Sequence, residues 1–93
     1  MKIIHTPDFD LDIIEIKNYL KENHPTYIKS TLLQIKQKTK DLAKNPYMGR
    51  IGRDMGTREV VFTKLPYVII YKIKENELHI LDIFHTSRNY PLQ

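Results

Sequence analysis

An α+β fold of order β-α-α-β-β-β, a helical hairpin packed on a small twisted antiparallel sheet, is predicted by three observations. Apolar residues of the N-terminal half recur at steps of three and four, the period of a helix face. After residue 56 the period changes, and Val, Ile, Tyr and Phe crowd into short runs. Between the halves, "KNPYMGRIGRDMG" carries all three glycines of the chain and reads as one basic loop.

Taken in order, "MKIIH" favours a strand, and "TPD" stops it, with Thr6 placed to cap a helix and Pro7 at its first position. Phe9, Ile13, Ile16 and Leu20 form the apolar stripe of a first helix running to about Lys21. "ENHP" resets the chain, because the residue before Pro25 is biased out of helix while Pro25 itself suits the next helix start. Ile28, Leu32, Ile35, Thr39 and Leu42 give the second stripe, and the two stripes pack as a helical hairpin. "TREVVF", "YVIIYKI" and "ELHILDIF", separated by "TKLP" and "KEN", then read as three consecutive antiparallel strands. In the last of them, alternation sets Leu78, Ile80 and Asp82 on one side against His79, Leu81 and Ile83 on the other.

The chain has 93 residues, enough for one domain over 1–93, and its composition has no break that argues for two. Cysteine is absent, which removes disulfides and thiolate metal sites and fits a reducing cytosol. The histidines at 5, 24, 79 and 85 lie too far apart in sequence for a metal-ligand motif, and no dinucleotide or phosphate-loop fingerprint occurs. No metal and no cofactor are expected. No apolar run approaches a membrane span, so a cytoplasmic protein without membrane contact is expected.

The net charge of +4 is unevenly spread. Residues 1–28 carry three Lys against five acids, residues 29–58 eight Lys or Arg against two, and residues 59–93 four of each. The middle third thus holds the whole excess, which suits an acidic protein partner or nucleic acid. A solvated, lysine-rich helix face is the plainer account of Lys36, Lys38, Lys40 and Lys44.

The remaining polar groups fall at strand ends: Arg58, Tyr71, His85, Arg88 and Tyr90. Short turns in a small sheet are expected to bring them close. Arginine grips a phosphate or carboxylate in two-pronged fashion, histidine exchanges a proton near neutral pH, and tyrosine stacks on a base or donates a hydrogen bond. Arg58, His85, Arg88 and Tyr90 therefore supply the groups that RNA cleavage by a 2'-hydroxyl needs. Each also has an ordinary role open to it: Arg58 bonding nearby carbonyls or an acid, Tyr67 and Tyr71 filling the core, His85 closing a buried strand. Ser87 beside His85 is set aside as a nucleophile, since such triads require an orienting acid.

"NPYMGR", "GTREVVFTKLPYVIIYKI" and "ILDIFHTSRNYP" resemble, in order and spacing, the toxins of the RelE/ParE superfamily of bacterial type II toxin-antitoxin systems, and "TPDFDLDIIEIKNYLKEN" resembles the family's first helix. The resemblance covers essentially the whole chain. It implies the same two-helix, antiparallel-sheet fold, a cognate antitoxin with an acidic C-terminal segment, and a toxin–antitoxin hetero-oligomer. Lys36, Lys40, Arg50 and Arg53 become the expected antitoxin contacts. RelE-like members cleave mRNA on the ribosome, whereas ParE-like members poison DNA gyrase. "GTRE", "PYVIIY" and "H..R.YP" are closer to the ParE and plasmid-stabilisation branch. Arg58 matches the arginine of "GTRE", Tyr67 and Tyr71 the tyrosines of "PY...Y", and His85 and Arg88 the final "H..R"; Tyr90 stands where tryptophan is common. The resemblance thus implies a gyrase inhibitor contacting its target through Arg58, Tyr71, His85, Arg88 and Tyr90, with a ribosome-dependent endoribonuclease as the alternative and a nucleic-acid-binding module or inactive toxin copy as the next.

Overall fold

The computed structural model describes residues 1–87. Strand β1 (Lys2–His5) leads into helix α1 (Pro7–Asn23), a 3-10 turn (Pro25–Tyr27), helix α2 (Ile28–Lys44), a loop, and strands β2 (Arg50–Ile51), β3 (Thr57–Val61), β4 (Tyr67–Lys74) and β5 (Glu77–His85). One five-stranded sheet results, in the spatial order β1-β5-β4-β3-β2. The helical hairpin covers one face of it. Phe9, Ile16, Leu20, Ile35 and Leu42 from the helices pack on Tyr67, Ile69, Tyr71, Leu78, Ile80 and Ile83 from β4 and β5. Both predicted helix stripes supply core residues, and the β3–β4–β5 meander is antiparallel as predicted.

Four details differ from the sequence reading, each for a local reason. The sheet is mixed, because β1 runs parallel to β5. The β4–β5 hairpin occupies one edge of β5 and leaves the other to β1, and the chain leaves β1 directly into α1 above β5. A fifth strand, β2, lies antiparallel to β3 inside the predicted loop; two residues are too few to show a period. Pro25 opens the 3-10 turn, and α2 begins only at Ile28. Finally, the pairing of β4 with β5 slips where Ile70 and Tyr71 face Asp82 and Ile80. Leu81 is the extra residue of this bulge, and it reverses the alternation beyond it, so that Ile83 joins Ile80 in the core while Asp82 takes the register of Ile70.

Thr6 ties the bulge to the helix. As the predicted N-cap it accepts the Phe9 N–H on its hydroxyl (3.3 Å), and that hydroxyl donates to the carbonyls of Ile80 (2.8 Å) and Leu81 (3.1 Å). Its backbone N–H also donates to Ile80 O. One turn on, Asp12 Oδ2 accepts the Ile83 N–H at 3.0 Å. The backbone groups that the bulge removes from the ladder are thus taken up by α1. At the far end of the meander, Glu75 and Asn76 both have positive φ, as a tight two-residue hairpin turn requires.

Candidate functional site

The residues singled out by the sequence divide between two places on the sheet. Arg58 and Tyr71 are direct cross-strand partners on β3 and β4, and Ile51 of β2 pairs with Arg58 on its other side. Tyr71 is fully buried, yet its hydroxyl meets the loop after α2, donating to Pro46 O (2.7 Å) and accepting the Gly49 N–H (3.0 Å). Burial pushes its pKa up, opposed by the Gly49 bond and by the Arg58 charge, so the phenol keeps the proton it donates. Arg58 Nη1 donates to Gly49 O at 2.7 Å, and its guanidinium carbon lies 4.9 Å from the centre of the Tyr47 ring. Both residues therefore grip the same loop.

Gly49 is what allows the grip. A Cβ there would lie 2.5 Å from the Tyr71 hydroxyl and 2.7 Å from Glu59 O, closer than any side chain can come. Glu59, nearly buried, adds the third tie. Its Oε1 accepts from Arg50 Nε (3.1 Å) and Nη2 (3.0 Å), while Oε2 accepts the Arg53 backbone N–H at 3.4 Å. Arg50, expected among free antitoxin contacts, is thus already paired, although most of its side chain remains exposed.

His85 lies at the other end of β4, paired in register with Tyr67 and meeting its ring edge-on at 5.6 Å. Four residues of β4 separate it from the Arg58 position, roughly 13 Å along the strand and about 10 Å across it. Arg58 and Tyr71 are brought together, and His85 is not brought to them. Arg88 and Tyr90 lie outside the described residues. Ser87, set aside above, does meet His85: its Oγ lies 2.6 Å from Nδ1 and its N–H donates to the same atom at 3.2 Å. With Nδ1 accepting that N–H, the ring proton sits on Nε2, and the contact is a local turn closing the end of β5.

Two further features lie along β4 and β5. Tyr67 helps to line a groove of about 420 Å³ between the helical hairpin and the β3–β4 turn, with Tyr19, Leu20, His24, Tyr27 and Leu65 among the other walls and Lys64 also lining it. Opposite Ile70, beside the bulge, Asp82 and Asp12 form a carboxyl pair. Burial, then the hydrogen bond and charge of Asp12, push Asp82 up to about 7, and burial also raises Asp12. Asp82 is thus the member that keeps its proton in the mildly acidic range. The sequence reading had placed Asp82 only as a member of an alternating strand, because the bulge that positions it leaves no mark in the residue pattern. Lys36 and Lys40 are exposed one turn apart on α2.

Among the described residues no helix is long and apolar enough to cross a membrane, and no group of three or more His, Asp or Glu is placed to hold a metal ion.

Comparison with known proteins bears on the whole chain. The family described as the ParE toxin of the type II toxin-antitoxin system parDE matches residues 3–90. A curated relative, "Putative toxin Y4kP" of Sinorhizobium fredii (strain NBRC 101917 / NGR234), is 32% identical over 77 residues, which is 83% of this chain and 79% of the relative. A solved structure described as the chromosomal ParDE TA system from P. aeruginosa superposes with a TM-score of 0.78 at 23% identity, covering 91% of this chain and 95% of that one, and so shares the fold. With its match to the family running over all but a few residues and its two-helix, mixed-sheet architecture in common, the chain belongs to the ParE toxin family of type II toxin-antitoxin systems.

Proposed function

We propose that the protein inhibits DNA gyrase in the ParE manner, acts in the cytoplasm, and is neutralised in a hetero-oligomer by a cognate antitoxin with an acidic C-terminal segment. The observation that carries gyrase over mRNA is the separation of Arg58 from His85. Cleavage by a 2'-hydroxyl needs a proton acceptor, a proton donor and a phosphate-binding cation around one phosphate. Arg58 instead commits its guanidinium to the Gly49 carbonyl and the Tyr47 ring, two strands across and four β4 positions along from His85. An inhibitor that acts by docking needs surfaces rather than a converged site. His85, Arg88 and Tyr90 are then target contacts.

For the antitoxin, Lys36 and Lys40 on α2 and Arg50 and Arg53 after it supply cations to an acidic segment. The groove lined by Tyr19, His24, Tyr27 and Tyr67 supplies a seat for its apolar side chains. The P. aeruginosa relative of the same fold was solved as a ParDE system, in keeping with such a partner.

The test is supercoiling by purified gyrase with the protein titrated in and cleavage complexes scored on the same gel. Loss of supercoiling with trapped double-strand breaks is expected. No effect from folded protein, together with mRNA cut on added ribosomes, would give the function to RNA cleavage and return His85 to a catalytic reading.

A further inference from the structure

The loop between α2 and β3 combines two properties that seldom occur together. It is tied down at every turn. Tyr71 holds Pro46 and Gly49, Arg58 holds Gly49, and Glu59 holds Arg50 and the Arg53 backbone. Its tip is closed by Gly52 N–H to Thr57 O (2.8 Å) and by the Thr57 hydroxyl to Asp54 O (2.6 Å). Yet the side chains this scaffold displays are large, apolar and open to water: Tyr47 is 67% exposed, Ile51 78% and Met55 100%. The Arg58 guanidinium lies over the Tyr47 ring, and Ile51 is the register partner of Arg58 on β2.

A fold that needed the loop only as a connection would gain nothing by fixing apolar side chains in solvent. Exposed apolar groups clustered among arginines are the composition of a protein-docking surface, where Tyr, Met and Arg are enriched. Fixing them beforehand removes the ordering cost that a flexible loop would meet on binding. Three arginines, 50, 53 and 58, stand against Asp54 and Glu59, and the one net positive charge fits a target surface with carboxylates; an antitoxin segment on Arg50 and Arg53 would cover this surface and keep the target off it.

We propose that residues 46–56 form a preformed docking surface for the toxin's target protein. Tyr47, Ile51 and Met55 are its apolar anchors, and Tyr71, Arg58 and Glu59 are positioning residues that keep the loop in its binding shape. The matching surface on the target is an apolar cleft with carboxylates at its edge. This deepens the docking reading above and rests on it. It also gives the paired Arg58 and Tyr71 a part in toxicity that involves no contact with a phosphate.

Two readouts separate the proposal from the identity of the target: growth arrest on expression, which registers any target, and gyrase supercoiling, which registers one. Met55→Asp, Ile51→Asp and the double variant place a charge on exposed positions and are expected to melt with the wild type. Each single change should raise the protein needed for half-inhibition about tenfold or more, the scale of losing an interface anchor, and the double variant should no longer arrest growth. Tyr71→Phe keeps the buried ring but frees the loop; the folded variant should also need several-fold more protein, whereas a merely structural Tyr71 would lower the melting temperature and leave the inhibition curve in place. Should the double variant be unstable, Met55→Asp alone decides. Full growth arrest and unshifted inhibition by folded Met55→Asp and Ile51→Asp would overturn the proposal. Arrest by the wild type without any effect on gyrase would overturn the gyrase reading, and the same variants would still judge the loop through growth. A wild type that arrests nothing would overturn both.

Discussion

The two flanks of β4, toward β3 and toward β5, are built on different principles. On the β3 flank, hydrogen bonds from Tyr71 and the Arg58 guanidinium and an Arg–Glu pair draw a loop onto the sheet, and every tie has a complementary partner. On the β5 flank, Thr6 and Asp12 hold α1 to the bulge of β5, and burial beside Asp12 raises the pKa of the Asp82 carboxyl there. The first flank is intolerant of added atoms. The second responds to pH.

The sharpest way to break the contrast is Gly49→Ala. Its Cβ would collide with the Tyr71 hydroxyl and with backbone at Glu59, so the loop must lift off and surrender its hydrogen bonds. A loss of about 3 kcal/mol of unfolding free energy in urea is expected, combining overpacking with lost bonds. Tyr71→Phe removes only the hydroxyl and strands the Gly49 N–H and Pro46 carbonyl. About 2 kcal/mol should be lost, measured the same way. On the β5 flank, Thr6→Ala deletes the cap of α1 and the hydroxyl shared by Ile80 and Leu81. About 1 kcal/mol is expected, with faster exchange of the Phe9 amide in hydrogen-exchange NMR.

The pH-dependent effect is the most diagnostic. Because Asp82 binds its proton more tightly folded than unfolded, the native state holds a proton that the unfolded chain has released between about pH 4 and pH 7. Stability must therefore fall as pH rises through that window and stay reduced above it. Asp82→Asn should raise the melting temperature at pH 8, change little at pH 4 and flatten the slope between. A melting temperature of Asp82→Asn that tracks the wild type at every pH would remove the carboxyl pair from this account. No such slope is expected to change in Tyr71→Phe.

The same contrast explains what the sequence could and could not disclose. Periodicity revealed both helices and the three-stranded meander, because burial of one face imposes a repeat that survives without coordinates. Thr6 and Pro7 marked the start of α1 for equally local reasons. The site was harder. That Arg58 and Tyr71 face each other follows from register, which a reading of separate strands leaves open, and that their target is Gly49 depends on a loop whose only regular piece is two residues long. His85 and Arg58 both lie at ends of strands, but at opposite ends of the sheet, a distinction that only the pairing order conveys. Asp82 was out of reach altogether, since a single inserted residue, Leu81, changed its neighbours. One signal was available and unused: Tyr47, Met48, Ile51 and Met55 are apolar residues in a stretch with no helical or strand period, where burial cannot explain them.

Strand β1 can complete itself only against β5, and Thr6 is bonded to a carbonyl 74 residues further along the chain. While the protein is being made, its first strand therefore waits, unpaired, until β5 has left the ribosome. The helical hairpin can form early, but it has no sheet to lie on. A chain cut short before β5 lacks the strand around which the rest assembles, so it is not expected to fold. Timing follows as well: the sheet can close only once β5 has emerged, however early the helices form.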